Sequence, residues 1–488
     1  MVLNQVWNKA LNLFFTYKIL RLVNSYVKLY FMVETAVQNI NKSNQIATYV
    51  LSVKKESLSK EVIHEVKRRV LDSFACAIGA SDSKPGKIIL KACSKVKSKF
   101  AASLFGKKKE VFYEEAAFAN GSLIRYMDFN DTYLSLEPAH PSDNIAPLIA
   151  CAQAYGKSGL DLILAIAIAY EIQCRLCDGA SLRAKGIDHV TYGAFSVVAG
   201  AAVLMDMNPE ELENALNIAG VCNIATRQTR VGEMSMWKAC AFANVARQGL
   251  FAARLAKEGM TGPAPIFEGT KGFETLISGP INLKLPAVGE PAQKILETYM
   301  KPYPVEYHAQ SAVEAAIKLY KEGLRLEQIR DMTIFTHGAA YQIIGSEPEK
   351  WRPTSKETAD HSLPYCTAIA IRDGNITNES FEKKNYRDSF MIRFLKKITV
   401  TEDQKYTSDY PNSFGNRLEI NLFDGKKLIK EVLHPFGHPK NPMSDEELFN
   451  KWRTLAKPHL SDELIEKQIE KVMALDSAEN IMDLLPVI

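Results

Sequence analysis

The sequence lacks the marks of several common classes of protein. Its eight cysteines are scattered along 488 residues, and the one close pair, Cys174 and Cys177, has no second pair nearby. That spacing disfavours zinc and iron–sulfur sites and is typical of reduced thiols. Residues 262–272 are rich in glycine and proline but lack the Gly-Lys-Ser/Thr ending of a phosphate loop. There is no long basic run and the net charge is only +4, so nucleic acid is not indicated as a partner.

Acidic residues are missing from the amino terminus. Residues 1–33 contain none, and the first is Glu34. This basic, amphipathic start fits an organelle presequence, a membrane-surface helix, or an upstream start codon with the natural protein beginning at Met32. We favour the last, because the globular pattern begins only near Asn44. Charges interrupt the apolar run, so neither a transmembrane span nor a membrane partner is expected. The expected location is the cytoplasm, or the mitochondrial matrix if residues 1–33 are a presequence.

The remainder has the composition of a soluble globular protein, with 47% hydrophobic and 24% charged residues. It is too long for one ordinary core, so two domains are expected. From Ser59, a suitable N-cap, apolar residues recur at intervals of three and four, as in an amphipathic helix. Further helical segments follow, and no strand-like alternation occurs before about residue 290. The sequence therefore predicts an all-helical first part.

The pattern changes between residues 297 and 436. Residues 418–422 alternate as in a strand and precede Asp424-Gly425, a hairpin signal, and helical stretches are interleaved. A helical pattern resumes after a capping box that starts at Ser444. We predict a mainly α protein, a large all-helical domain with an inserted smaller α+β domain. The predicted segments are an extension (1–33), the helical domain (34–296 and 437–488) and the α+β domain (297–436).

A polar stretch at residues 120–144 lies between two apolar segments that resemble core helices. Pro138 and Pro141 disfavour regular structure in its second half, and a polar loop entering a core must satisfy its own backbone groups. Two interpretations besides catalysis stay open. One is ordinary turn and cap chemistry, and the other is a metal site at Asp128, Asp131 and His140, for which no local partner motif exists. The groups able to transfer protons here are Asp128, Asp131, Thr132, His140 and Asp143.

Four other stretches carry reactive groups. His189 precedes a tight apolar helix, and residues 227–238 place three cations in a short span. Residues 301–308 form a stiff segment at the predicted domain junction, and residues 361–365 lie in the predicted α+β domain. Each also has a structural interpretation, such as a helix cap or a lysine that reaches solvent. Together they are cations and proton-transfer groups without a redox centre, phosphate loop or metal motif, which fits lyase or isomerase chemistry on a polycarboxylate.

Four motifs, in order along the chain, resemble those of the MmgE/PrpD family. They are Met127-Asp128-Phe129-Asn130-Asp131-Thr132, His140-Pro141-Ser142-Asp143-Asn144, Gly232-Glu233-Met234-Ser235-Met236-Trp237-Lys238 and Gly437-His438-Pro439-Lys440-Asn441-Pro442-Met443-Ser444. The likeness runs from about Asn44 to the carboxyl terminus. It implies a large helical domain, a smaller α+β lid, a homodimer and no metal or organic cofactor. The active-site positions that it implies are Asp128, Thr132, His140, His189, Lys238, Lys301 and Tyr365.

The resemblance also implies a reaction. The family contains 2-methylcitrate dehydratase, cis-aconitate decarboxylase and iminodisuccinate epimerase. Asp143-Asn144 is similar to the dehydratases, whereas animal decarboxylases end this motif His-Pro-Ser-Gly. We predict a cofactor-independent hydro-lyase that converts 2-methylcitrate to 2-methyl-cis-aconitate in propionate breakdown, with decarboxylation or epimerisation as the alternative. An inactive helical binding protein is the alternative of another class, and the presence of all seven site residues counts against it.

The resemblance further suggests a role for each site residue. His140, oriented by Asp128, is the predicted base, and His189 or Tyr365 would protonate the departing hydroxyl, although acid and base can be exchanged. The lid is expected to deliver Lys301 and Tyr365. The predicted ligands of the tricarboxylate are Thr132, Lys238 and Lys301.

Overall fold

The structure, a computed structural model, describes residues 41–93, 95–96, 98–108, 110–232 and 234–488. The expectations for residues 1–33 therefore lie outside the described residues. Over those ranges, no helix is long and apolar enough to cross a lipid bilayer. The chain is mainly α-helical with a smaller α+β region, as the sequence predicts.

The first half of the chain folds as helices around one hydrophobic core. The hydroxyl of Ser59, the predicted N-cap, accepts the amide hydrogen of Val62 at the start of the second helix. Asn208 and Glu211 form a capping box around a proline in the first turn of a later helix. These helices are α1 (Lys42–Ser52), α2 (Lys60–Ala80), α3 (Lys84–Ala92), α4 (Tyr113–Tyr126), α5 (Ile145–Ala154), α6 (Gly159–Gly179), α7 (Gly193–Leu204), α8 (Pro209–Cys222) and α9 (Ala241–Lys257).

Two short strands depart from the predicted all-helical first part. β1 (Ala101–Ser103) and β2 (Glu110–Phe112) pair antiparallel between α3 and α4. Three residues per strand are too few for a detectable alternation of apolar and polar side chains. The prediction that this part contains helices alone was therefore wrong.

A second hydrophobic core surrounds a four-stranded sheet. The strands are β3 (Ile329–Thr336), β4 (Ile398–Glu402), β5 (Asn416–Leu422) and β6 (Lys427–Val432), and they lie in the order β4-β3-β5-β6. β3 pairs parallel with β4 and antiparallel with β5, and β5 continues through the predicted Asp424-Gly425 turn into β6, which confirms the hairpin. The helices are α10 (Gln310–Lys321), α11 (Gly338–Ala340), α12 (Pro348–Trp351), α13 (Lys356–Ala359), α14 (Leu363–Asp373), α15 (Lys383–Tyr386), α16 (Ser389–Leu395) and α17 (Gln404–Asp409).

The last two helices, α18 (Asp445–Ala456) and α19 (Asp462–Met473), return to the first core, where they pack on α2. Ser444 and Glu447 form the predicted capping box of α18. The segment that leaves the first core and the segment that returns lie side by side, since the Met300 amide donates to the Gly437 carbonyl at 3.1 Å. Both crossings therefore lie at one junction of the two cores.

Candidate active site

The polar stretch at residues 120–144 turns sharply where α4 ends. Asp128 has a φ of 53°, in the left-handed region that aspartate tolerates better than most residues. This turn directs the Asp128 carboxylate back to Arg125, whose guanidinium donates to it at 2.7 Å. Both side chains are buried, so the turn creates a buried ion pair at the end of the helix.

Backbone hydrogen bonds shape the rest of this loop. Tyr133 and Ala139 exchange two of them, at 2.9 and 2.8 Å, which returns the chain so that His140 lies beside Thr132. Thr132 and Tyr299 exchange a second such pair, at 2.9 and 2.8 Å. The loop is thereby joined to the segment that crosses into the second core.

Asp131 holds the loop against the first core. Its carboxylate accepts the Ser142 amide hydrogen at 2.9 Å and the Tyr170 hydroxyl at 2.8 Å, and it is completely buried. Its two oxygens are therefore already engaged. Of the interpretations that the sequence leaves open for Asp131, these contacts favour a structural role over a metal ligand.

Asp128 is the centre of a buried charge network. One carboxylate oxygen accepts from Arg125 and from Lys301, each at 2.7 Å, and the other lies 3.0 Å from the Lys238 ammonium and 3.2 Å from Nε2 of His361. The Lys301 ammonium also donates to the Asp128 carbonyl at 2.9 Å. Burial acts to raise the pKa of Asp128, but Arg125, Lys238 and Lys301 outweigh it and hold that pKa well below its usual range.

The same network bears on whether a metal ion fits here. Oxygen and nitrogen donors of Asp128, Asp360 and His361 lie within 4.8 Å of one another. The Lys238 ammonium already lies between them, 3.0 Å from Asp128, 3.7 Å from Asp360 and 3.3 Å from Nδ1 of His361. A divalent cation would have to displace this positive charge, so the donor set is better suited to an ammonium ion than to a metal.

His140, the predicted base, has a tautomer that its neighbours define. The Arg125 guanidinium can only donate, so Nε2 of His140 accepts from it at 2.8 Å, and Nδ1 carries the hydrogen that it donates to the Asp131 carbonyl at 2.7 Å. Burial and the charge of Arg125 lower the pKa of His140 well below its usual value. Asp128 orients this ring only through Arg125, which contacts both.

His189 lies next to His140, with ring centroids 5.8 Å apart. Its Nδ1 is 3.2 Å from the Asp188 carboxylate, and its buried Nε2 has no hydrogen-bond partner among the described residues. Arg230 donates to the other oxygen of Asp188 at 3.0 Å. Burial lowers the pKa of His189 to about 3; Asp188 opposes the shift and Arg230 adds to it. His189 is thus a neutral imidazole with a free nitrogen.

A cavity at the junction of the two cores joins these groups. Asp128, Thr132, His140 and His189 line it, whereas Lys238 and Lys301 contact Asp128 from outside that lining. The cations that do face the cavity come from several elements. The described residues that line the cavity are Arg125, Asp128, Thr132, Leu134, Pro138, His140, Arg183, His189, Arg227, Arg230, Met234, Glu306, His308, Ile343, Lys350 and His361.

Tyr365 is the one predicted site residue that the structure places neither in the cavity lining nor in contact with Asp128. It is fully buried in the second core, and its hydroxyl donates to the Ser380 carbonyl. Ser362 caps α14, so Tyr365 lies in the first turn of that helix and faces the core. His361, immediately before the cap, contacts Asp128 and lines the cavity instead.

Several residues at the cavity were not selected from the sequence. Arg125 lies in the polar stretch, where the sequence pattern indicates only a basic residue in the last turn of a helix. Glu306 and His308 lie in the stiff segment at residues 301–308, and His361 begins the stretch at residues 361–365. Lys350 is buried and lines the cavity with no motif around it to signal its place.

Comparison with known proteins relates most of the chain to one family. Residues 44–286 match the MmgE/PrpD N-terminal domain, and residues 303–476 match the MmgE/PrpD C-terminal domain. A 2-methylcitrate dehydratase of Cupriavidus necator is 30% identical over 402 residues, covering 76% of this chain and 80% of that protein. A mitochondrial 2-methylcitrate dehydratase of Yarrowia lipolytica is 28% identical over 388 residues, covering 74% and 73%. A cis-aconitate decarboxylase-like protein of Aspergillus oryzae is 25% identical over 481 residues, covering 92% and 97%.

Proposed function

This chain belongs to the MmgE/PrpD family, and we propose on that basis that it is a hydro-lyase which removes water from a tricarboxylate. The substrate that we propose is 2-methylcitrate, and the product is 2-methyl-cis-aconitate. The proposal is supported by the relatives named 2-methylcitrate dehydratase, which are about 28–30% identical to most of the chain. The charge of the cavity supports it independently.

The excess of positive charge in the cavity lining is the observation that supports a tricarboxylate as the substrate. Among the described lining residues, five are cationic and two, Asp128 and Glu306, are anionic. With His140 and His189 neutral, the excess is at least three positive charges, enough to balance three ionised carboxylates. Such an arrangement of fixed cations also stabilises negative charge that develops next to a carboxylate when a carbon-bound proton leaves. The cations are Arg125, Arg183, Arg227, Arg230 and Lys350.

His189 is the base that we propose for this proton. Its Nε2 is free and buried, whereas the lone pair of His140 already accepts from Arg125. His140 instead orients the Arg125 guanidinium, which with the Thr132 hydroxyl binds a substrate carboxylate. Lys238 and Lys301 hold Asp128, and through it Arg125, in position. The comparison of His140→Gln with His189→Gln tests this division, because the base variant should lose about 10²–10⁴-fold in turnover.

The experiment that tests the function is incubation of the purified protein with 2-methylcitrate, citrate, cis-aconitate and iminodisuccinate, followed by NMR of the products. The expected result from 2-methylcitrate is a methyl signal that loses its splitting, together with two new olefinic carbon-13 signals, because the double bond of 2-methyl-cis-aconitate carries no hydrogen. Loss of carbon dioxide from cis-aconitate would indicate the decarboxylase alternative, which the long match to the Aspergillus oryzae relative favours. Turnover of none of the four would contradict the enzyme assignment and indicate a binding protein.

A lid and a homodimer belong to the same proposal. Residues 297–436 would act as the lid, because both crossings between the cores lie at one junction beside the cavity. The dimer is supported by exposed apolar side chains on and beside α9. Phe251 is 39% exposed, with the Arg254 guanidinium 5.1 Å from its ring. Trp237, 49% exposed, lies against Phe118, and Arg247 of α9 lies 5.3 Å from the same Phe118 ring.

The cellular location that we propose is the cytoplasm. The alternative is the mitochondrial matrix, because the Yarrowia lipolytica relative carries that location in its name. Fusion of residues 1–33 to a fluorescent protein distinguishes the two: mitochondrial fluorescence would contradict the cytoplasmic assignment.

A further inference from the structure

Glu306 and His308 form a pair on the wall of the cavity next to the second core. One oxygen of Glu306 accepts the backbone amide hydrogen of His308 at 2.8 Å, and the other lies 2.7 Å from its Nδ1. An ionised carboxylate can only accept, so Nδ1 carries a hydrogen. The opposite nitrogen, Nε2, is buried and has no partner among the described residues. The imidazole is thus oriented by a carboxylate and keeps one nitrogen free, as in acid–base sites.

The charges around His308 differ from those around the other two histidines of the cavity. Burial acts to raise the pKa of Glu306, but its pairing with His308 outweighs this and holds the pKa at about 2, so the carboxylate is ionised at neutral pH. An adjacent anion favours a protonated imidazole. His308 is buried as well, and Asp188 gives His189 a similar carboxylate, but arginines lie near His140 and His189 and favour their neutral forms. Titratable groups with such opposed environments in one cavity are the pattern of an acid and a base.

We propose that His308, positioned by Glu306, is the catalytic acid that protonates the departing hydroxyl, an assignment that rests on the proposed dehydratase function. In this step the carbon–hydrogen bond next to a substrate carboxylate breaks, its proton goes to His189, and its electron pair forms the carbon–carbon double bond. The carbon–oxygen bond breaks with its electron pair on oxygen, which takes the Nε2 proton of His308 and leaves as water. His189 ends protonated and His308 neutral, and exchange with solvent restores both.

The kinetic test compares two leaving groups. His308→Gln should lower kcat for 2-methylcitrate by about 10²–10⁴-fold, the usual contribution of a positioned acid, and change KM much less. In an analogue with chloride in place of the departing hydroxyl, the halide leaves without a proton. The variant should therefore retain turnover of that analogue within about tenfold of the unmodified protein. An equal loss on both substrates would overturn the assignment.

A matched control variant separates this effect from a general loss of stability. His64→Gln removes a half-exposed histidine that pairs with Asp445 between α2 and α18, and it should turn over both substrates normally. Circular dichroism and thermal unfolding of all variants establish that they are folded. Glu306→Gln keeps the imidazole but removes its carboxylate, so it should share the preference for the chloride analogue. Full activity of Glu306→Gln on 2-methylcitrate would contradict its positioning role.

A second measurement does not depend on turnover. Nitrogen-15 NMR with bound propane-1,2,3-tricarboxylate should show both ring nitrogens of His308 protonated, with the signals assigned by their loss in His308→Gln. A neutral His308 in that complex overturns the acid role. If the unmodified protein turns over no tricarboxylate but His308 is protonated, the proposed function is wrong, whereas the inferred protonation of His308 beside Glu306 is confirmed. If it dehydrates 2-methylcitrate and His308→Gln does so equally well, only the assignment of His308 fails.

Discussion

Asp128 is the single residue on which the active site depends most. Its carboxylate compensates the positive charges of Arg125, Lys238 and Lys301 in a region that is almost closed to solvent. The left-handed backbone at this residue is a local cost that the surrounding contacts outweigh, as is common at functional sites. Removal of the charge would leave these three cations close together, with only the more distant carboxylates of Asp360 and Asp143 beside them.

The substitution Asp128→Asn should therefore destabilise the fold by about 3–5 kcal/mol, the usual cost of removing one partner of a buried ion pair. Because the folded-state pKa lies below the unfolded value of about 4, this stabilisation is fully present above about pH 4. It is lost as the pH falls through the lowered folded-state pKa. Urea unfolding should give a constant difference between the two proteins from about pH 5 to pH 8 and a smaller one in strong acid.

A control for this measurement is Asp424→Asn in the exposed turn between β5 and β6, which should change stability by less than about 0.5 kcal/mol. A loss for Asp128→Asn no larger than that of the control would contradict the central role of this carboxylate.

Tyr365 and His361 offer a second comparison between residues. Tyr365→Phe removes one buried hydrogen bond to Ser380 and should cost about 0.5–1.5 kcal/mol of stability while kcat stays unchanged. His361→Gln removes a group that contacts both Asp128 and Asp360, and should lower kcat/KM by about tenfold or more. Steady-state kinetics of the two variants decide the matter, and the reverse order of effects would restore Tyr365 as the site residue.

The family motifs include four of the predicted site residues, because each motif specifies residue types at a fixed spacing; these are Asp128, Thr132, His140 and Lys238. The structure brings Thr132 and His140 together, and it brings Lys238 and Lys301 to Asp128. The direction of a side chain is a different matter, since it depends on where an element begins. Ser362 caps α14, and this places Tyr365 in the core although it is only four residues from His361. Spacing along the chain does not contain that information.

At the scale of elements, α18 helps to hold the loop at residues 128–144, although it lies more than 300 residues away in the sequence. The Lys451 ammonium donates to the Asp72 carboxylate of α2 at 2.6 Å, to the Phe129 carbonyl at 2.8 Å and to the Lys301 carbonyl at 3.0 Å. Phe129 and Lys301 each adjoin or contact Asp128. One side chain thus joins two helices, the loop and the crossing segment.

Lys451→Met keeps most of the aliphatic stem but leaves the buried Asp72 carboxylate without its cation. The expected loss of stability is about 3–5 kcal/mol, with a fall in kcat because the loop and Lys301 lose a common anchor. Thermal unfolding and kinetics of Lys451→Met, Asp72→Asn and the double variant check this prediction. The double variant should be more stable than the sum of the single losses implies, because it removes both charges. Strict additivity would contradict the coupling.

Elements with strong local signals were predictable from sequence. The caps at Ser59, Asn208 and Ser444 and the hairpin at Asp424-Gly425 all form as expected, because each uses short-range hydrogen bonds or turn chemistry. β1 and β2 were missed, because three-residue strands contain too little pattern and depend on their surroundings. The contact of Lys451 with the loop was equally invisible, since it arises only when α18 packs on α2.

At the scale of the whole molecule, the cavity lies where the chain crosses twice between two cores, so residues from both cores line it. Arg183 and Arg227 lie on the side of the first core, and Glu306, His308 and Lys350 lie on the side of the second. Relative movement of the cores would therefore change the distance between the proposed base and the proposed acid. This arrangement is the physical basis of the lid that we propose for residues 297–436.

The proposed homodimer makes a prediction about mass in solution. Light scattering should give about twice the chain mass of 54.5 kDa. Phe251→Glu places a charge in the exposed apolar surface of α9 and should shift the protein towards the monomer, because burying an unpaired charge is costly. Phe423→Glu, at an exposed phenylalanine in the turn between β5 and β6, is the matched control and should leave the mass unchanged. A monomer for the unmodified protein would contradict the proposal.

The last prediction concerns metal dependence, because dehydration of a tricarboxylate can also be driven by an iron–sulfur cluster, which needs three or four thiolates. Cys174 and Cys177 are adjacent on α6, but burial raises both thiol pKa values well above their usual range and so disfavours thiolates. The donors around Asp128 hold the Lys238 ammonium instead of leaving room for a cation. Turnover should therefore survive EDTA, phenanthroline and air, and the protein should absorb no visible light. Activity that disappears with a chelator and returns with iron or another divalent ion would replace the side-chain mechanism by a metal-assisted one.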